Sequence, residues 1–189
     1  MTSWTNFYVI IGSAGAALIG IQFVVVTLVA NMRPRPPADS LSAFGTPTVV
    51  HFTSALLVAA VMSAPWPSLF STSMALAICG LAGLGYCGLT IRRTLLQTYY
   101  TPVWQDWLWY TSFPCTAYAV LVLAALFLRA RTHIALFLIA AAALGLLLIG
   151  IHNSWDSITH LVTGGAGNTD SAGNADNADN ADREATTSE

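Results

Sequence analysis

The sequence predicts an all-α, polytopic integral membrane protein: a bundle of five transmembrane helices with a disordered C-terminal tail. Three observations carry this. Charged side chains are 8% of the 189 residues and hydrophobic ones 55%, whereas a soluble domain carries about 25% charge to dress its surface. Five apolar stretches approach the roughly 20 helical residues that cross a bilayer core. All six tryptophans (Trp4, Trp66, Trp104, Trp107, Trp109 and Trp155) fall at or beyond the ends of those stretches, where an indole rests on hydrocarbon with its N–H hydrated. A mean hydropathy of +0.62 agrees. The same composition excludes a soluble globular enzyme, a disulfide-stapled secreted domain and a nucleic-acid binder with a basic face.

The spans follow in order. Residues 7–30 hold no ionisable group, and Arg33, Pro34, Arg35, Pro36 and Pro37 stop the helix. No basic residue precedes this run and it exceeds a signal-peptide core, so the first helix is expected to stay in the mature protein. Residues 48–64 form the second span, with Thr46 as expected N-cap and Pro47 at the first helical position. Pro65, Trp66 and Pro67 turn the chain into the third, residues 69–91. Segment Tyr99–Tyr110, dense in tyrosine and tryptophan, reads as an aromatic belt at the interface. The fourth span is 108–128; Pro114 bends it if it starts near Leu108 and opens it if it starts later. Residues 133–155 are the fifth. None of these stretches alternates with period two, which favours helices over a barrel.

Residues 164–189 are a different material. Gly164, Gly165 and Gly167 break the helix, and Asn-Ala-Asp then recurs at 174–176, 177–179 and 180–182. Without large apolar residues this tail cannot bury surface and is expected to be disordered. It holds Arg183 against Asp170, Asp176, Asp179, Asp182, Glu184 and Glu189, while the bundle, residues 1–163, holds the other arginines against Asp39, Asp106 and Asp156. The stated net charge of −2 thus averages a weakly basic body and an acidic tail.

Alternating spans put Arg33, Arg35, Arg92 and Arg93 on one side and Arg129 and Arg131 on the other. The positive-inside rule then places the N-terminus outside and the C-terminus in the cytoplasm. Arginine used to the exclusion of lysine is the habit of a GC-rich genome, pointing to a bacterial cytoplasmic (inner) membrane. Small residues recur at four-residue spacing: Gly12, Ala16 and Gly20; Cys79, Gly83 and Cys87; Ala141 and Gly145. Such stripes let helices approach closely, within the bundle or against a second copy or another membrane protein. Cys79 and Cys87 are about 12 Å apart along one helix, beyond disulfide reach. With Cys115 on the fourth helix, they read as small buried hydrophobes.

Ionisable groups in or beside spans are candidate functional residues. Counting spans brings His51, His152, Asp156, His160, Arg92, Arg93 and Asp106 to one membrane face, with His152, Asp156 and His160 on one drifting helical stripe. An interhelical polar lock is the reading preferred here. The same residues also suggest a proton or small-solute path through His51, His152 and Asp156, a divalent metal held by those three, or a b-type haem on His51 and His152 or quinone redox chemistry. No nucleotide-binding, metalloprotease or nucleophile-elbow motif is present. The expected role is therefore a structural or accessory membrane component whose partners are the bilayer and a second copy or another membrane protein, with no nucleic acid; absence of a cofactor and of enzymatic activity is the favoured expectation, and both stay open.

Overall fold

A computed structural model describes the backbone of residues 2–31, 38–96 and 107–187, and the side chains of residues 4–29, 31, 46–92 and 107–159. Among the described residues every regular element is helical: α1 (Thr2–Ala30), α2 (Ala38–Ser63), α3 (Leu69–Leu96), a π-helical turn (Leu108–Ser112) running into α4 (Phe113–Phe127), and α5 (Thr132–Thr187). Five segments are long and apolar enough to cross a membrane: Trp4–Val29, Thr46–Ser63, Leu69–Arg92, Leu108–Phe127 and Thr132–Thr159. They coincide with the five expected spans, with the ends moved by a few residues.

Two prolines behave differently from one another. Pro47 is not at the head of its helix: α2 starts at Ala38, and Pro47 lies inside it. Its φ is already helical, so the cost is one missing backbone bond and not a break in the chain. Pro114 opens α4, the second of its two expected roles, and the preceding turn shows how. A proline has no N–H to offer the carbonyl four residues back. The chain widens to i→i+5 bonding just before it, with the Phe113 N–H reaching the Leu108 carbonyl. The Ser112 hydroxyl bonds the Trp107 carbonyl across the same interval, at 3.2 Å. Helix α5 is continuous to Thr187, through the segment expected to be a disordered tail; the side chains of that segment, 164–189, lie outside the described residues.

Helix α2 packs against α1 and α5, α5 against α4, and α4 against α3; α3 touches α2 more lightly. The most hydrophobic span window in α5 is 56% buried against 17% in α1, so α5 is the enclosed helix and α1 the most outward. Ala135, Ile139, Ala143 and Leu146 of α5 meet Ala55 and Val58 of α2, Leu121 and Ala124 of α4, and Leu128 just beyond α4 in the core. The outside is as apolar as the inside: Ile10, Phe23, Leu81, Leu126 and Phe137 each expose more than half of their surface. Such a belt is far larger than a water-soluble monomer tolerates and is ordinary against lipid tails.

Glycines set the closest approaches. A methyl group on Gly83 would run into the Tyr118 ring, one on Gly80 would come 2.6 Å from Val122 Cγ2, and one on Gly150 would come 2.5 Å from the Phe52 ring. Gly12 and Gly15 likewise seat Leu56, Ala59 and the Phe52 carbonyl. The small-residue stripe of α3 thus faces α4. In α1 the packing falls on Gly12 and Gly15, while Gly20, like Gly145 in α5, meets nothing within 4 Å.

Candidate functional site

The buried polar residues Gln22, Thr48, His51, Asn153 and Ser157 gather at the end of the bundle where α2 begins and α5's span closes. His51, on the inward face of α2, is 2% exposed. Its Nδ1 lies 3.1 Å from the hydroxyl of Tyr118 on α4, and that hydroxyl is 2.9 Å from Ser54 Oγ. Bond order in this chain can be deduced. Ser54 has one hydroxyl proton and donates it to the Val50 carbonyl at 2.8 Å. Tyr118 must therefore donate to Ser54 Oγ, and its oxygen accepts from His51. Nδ1 carries the hydrogen, which leaves Nε2 as the ring nitrogen able to accept a proton or ligate. The ring of Tyr86, on α3, stands edge-on to His51 at 6.5 Å.

Two other interhelical links lie at the same end. Tyr110, in the π-helical turn, donates to Asp156 Oδ2 at 3.1 Å. Ser154 of α5 donates to Gln22 Oε1 of α1 at 2.8 Å. His152 stacks flat on Trp109, with ring centroids 3.7 Å apart and planes 19° from parallel. Bonding and stacking thus tie α1, the π turn, α2, α4 and α5 together at one end.

Of the residues expected to converge, each of the central three has a partner of its own. His51 turns to Tyr118, His152 to Trp109 and Asp156 to Tyr110. Arg92 is exposed at the end of α3's span, and the side chains of Arg93, Asp106 and His160 lie outside the described residues. Among the described residues no group of three or more His, Cys, Asp or Glu side chains is arranged to hold a metal ion. The α5 stripe chosen from charge, His152 and Asp156, is also not the helix's inward face. Leu146, Gly150, Asn153 and Ser157 are buried, whereas Asp156 is exposed. Adjacent positions on a helix are rotated by about 100°, so His152 and Asp156 sit on the flank facing the π turn.

Several participants carry no charge and were missed for that reason: Gln22, Ser54, Tyr110, Tyr118, Asn153 and Ser154. One could have been found. Asn153 and Ser157 continue the spacing of Leu146 and Gly150, so the core register itself points to them. Asn153 is fully buried, and neither its amide nitrogen nor its amide oxygen has a hydrogen-bond partner. The hydroxyl of Tyr8, towards the other end of the bundle, is a second orphan. Comparison of the chain with protein-family models, curated proteins and solved structures finds no match.

Proposed function

We propose that the chain is a multi-pass integral membrane protein acting as a structural or accessory component of a bacterial cytoplasmic membrane, with its N-terminus outside. Its polar cluster serves as an interhelical lock. One observation carries this reading: His51, Gln22 and Asp156 each engage a side chain from a different part of the bundle. In hydrocarbon an unbonded polar side chain is expensive, so such pairs fix which helices meet and in what register. The outward glycines Gly20, Gly85, Gly88 and Gly145, open to at least 4 Å, offer close-packing faces for a second copy or another membrane protein.

The test is a comparison of His51→Ala and Asp156→Asn with the parent in a deletion strain. A lock loses thermal stability in detergent when either residue changes, and the phenotype falls with the amount of folded protein. Full stability with a lost phenotype would refute it. That result would favour a second reading, a proton or small-solute path past His51, His152 and Asp156. The observation behind that reading is the fully buried, unpartnered amide of Asn153, a polar group that a passing ion or solute would satisfy.

A further inference from the structure

The chain has three cysteines, and two of them meet. Helices α3 and α4 run antiparallel with glycines at their closest approach: Gly80 lies on Val122 and Gly83 on Tyr118. One further turn along each helix, in opposite directions, this register carries Cys87 to the level of Cys115, and the two thiols are close enough to influence each other. Cys79 stands on the same helix two turns back and has no such partner in α4. A disulfide needs Cα atoms about 4.4–6.8 Å apart; most helix pairs stand further apart than this, but the missing side chains at Gly80 and Gly83 draw these two backbones together. Both thiols are free, Cys87 buried and Cys115 half-buried.

The position of the pair limits what can react with it. Cys87 lies in the span Leu69–Arg92 and Cys115 in the span Leu108–Phe127. Arg92 is five residues beyond Cys87, about 7 Å of helix rise, so the pair sits just below headgroup level. Charged, water-borne disulfide carriers are excluded from that depth. A bilayer-dissolved oxidant able to take two electrons and two protons belongs to the quinone class.

We propose that Cys87 and Cys115 form a dithiol–disulfide couple across α3 and α4 that reduces a membrane-dissolved quinone. Two S–H bonds break and one S–S bond forms. The two sulfurs lose one electron each, and the quinone takes both electrons and both protons to become a quinol. The couple uses none of the hydrogen bonds of the polar lock and stands or falls separately from it.

The experiment uses the reduced full-length protein in lipid nanodiscs, without oxygen, and a short-tailed benzoquinone substituted at every ring position so that thiols cannot add to it. Quinol absorbance, the thiol count after denaturation and the intact mass are read together. The expected result is one quinol per chain, loss of two of the three thiols and a mass lower by two hydrogens. Cys79→Ala behaves as the parent. Cys87→Ala and Cys115→Ala each slow quinol formation at least about ten-fold, since a single thiol has no partner to complete the bond. Melting curves accompany each variant; should one fail to fold, the Cys→Ser variant at that position takes its place. Retention of all three thiols, oxygen added to a single sulfur, or quinol formation that persists without Cys87 or Cys115 overturns the proposal. Closure by diamide but not by the quinone overturns the choice of oxidant.

Discussion

Changing Tyr118 to phenylalanine removes one oxygen and nothing else. The ring still fills the hollow above Gly83, so core packing survives. Two hydrogen bonds disappear, but their loss is unequal. Ser54 keeps its bond to the Val50 carbonyl, whereas His51 Nδ1 loses the partner that its burial had made obligatory. A side-chain bond between membrane helices contributes about 0.6 kcal/mol on average and up to about 1.7 kcal/mol. A buried donor left unpaired moves the cost to the upper part of that range, so Tyr118→Phe should lose about 1–2 kcal/mol. Tyr118→Ala, which also empties the site of its ring, should lose about 3–5 kcal/mol, as large-to-small core changes do. The assay is reversible unfolding in mixed micelles for the parent, Tyr118→Phe, His51→Ala and the double variant. If the two groups are bonded, the double variant loses less than the sum of the single losses, with a coupling of about 0.6 kcal/mol or more. Additive losses, to within about 0.3–0.5 kcal/mol, would refute the Ser54–Tyr118–His51 chain.

Gly83→Ala should destabilise the bundle by about 1–3 kcal/mol because its methyl overlaps the Tyr118 ring, while Gly85→Ala, facing open space, should leave the unfolding midpoint unchanged or raise it. Asn153→Leu removes an amide that has no partner and keeps its branched shape, so the same titration should show no loss, or a gain of up to about 1–3 kcal/mol; a large loss would mean that the amide is bonded in the membrane. Truncation after Thr163 should leave the melting temperature in detergent unchanged, since the acidic repeat has no large apolar residues with which to pack. Reporter fusions after Pro67 and Arg131 should signal outside, and fusions after Pro37, Gln97 and Gly167 inside; an external signal at Gly167 would reverse the orientation.

The helices were legible in the sequence because bilayer thickness imposes a length and because proline, arginine and tryptophan mark ends. What could not be read were choices decided by local geometry. Thr46 and Pro47 look like a helix start, but Pro47 sits within α2, where a helical φ and one missing bond are tolerated. Pro114 left two options open, and the π turn over Leu108–Ser112 reconciles them by giving the preceding residues a wider bonding pattern. The arrangement of helices around α5 was not legible either, because stripes of small residues show that a helix packs closely but not against which neighbour. Cys115 illustrates the same gap: its spacing along the chain says nothing about Cys87, and the pair emerges only from the α3–α4 register.

The polar layer at one end of the bundle follows from the unequal lengths of the connections. At the opposite end α2 joins α3, and α4 joins α5, through turns of a few residues. The Trp66 indole closes the α2–α3 turn by bonding the Val61 carbonyl at 2.7 Å, and Ser73 on α3 bonds the Ala125 carbonyl of α4 at this same end. A short connection by itself limits the distance between two helix ends. At the polar end the connections are longer in sequence, from α1 to α2 and from α3 to the π turn, and closing a longer connection costs more chain entropy. Covalent connection therefore restrains α1 and the start of α4 weakly at this end. Gln22 with Ser154, Tyr110 with Asp156, and His51 with Tyr118 supply the missing restraint, each bonding across helices that no short turn joins there. The charged and titratable residues His51, His152 and Asp156 lie at this same end. The residues that do the joining are mostly uncharged, because hydroxyls and amides can bond in pairs within hydrocarbon at a lower desolvation cost than ions.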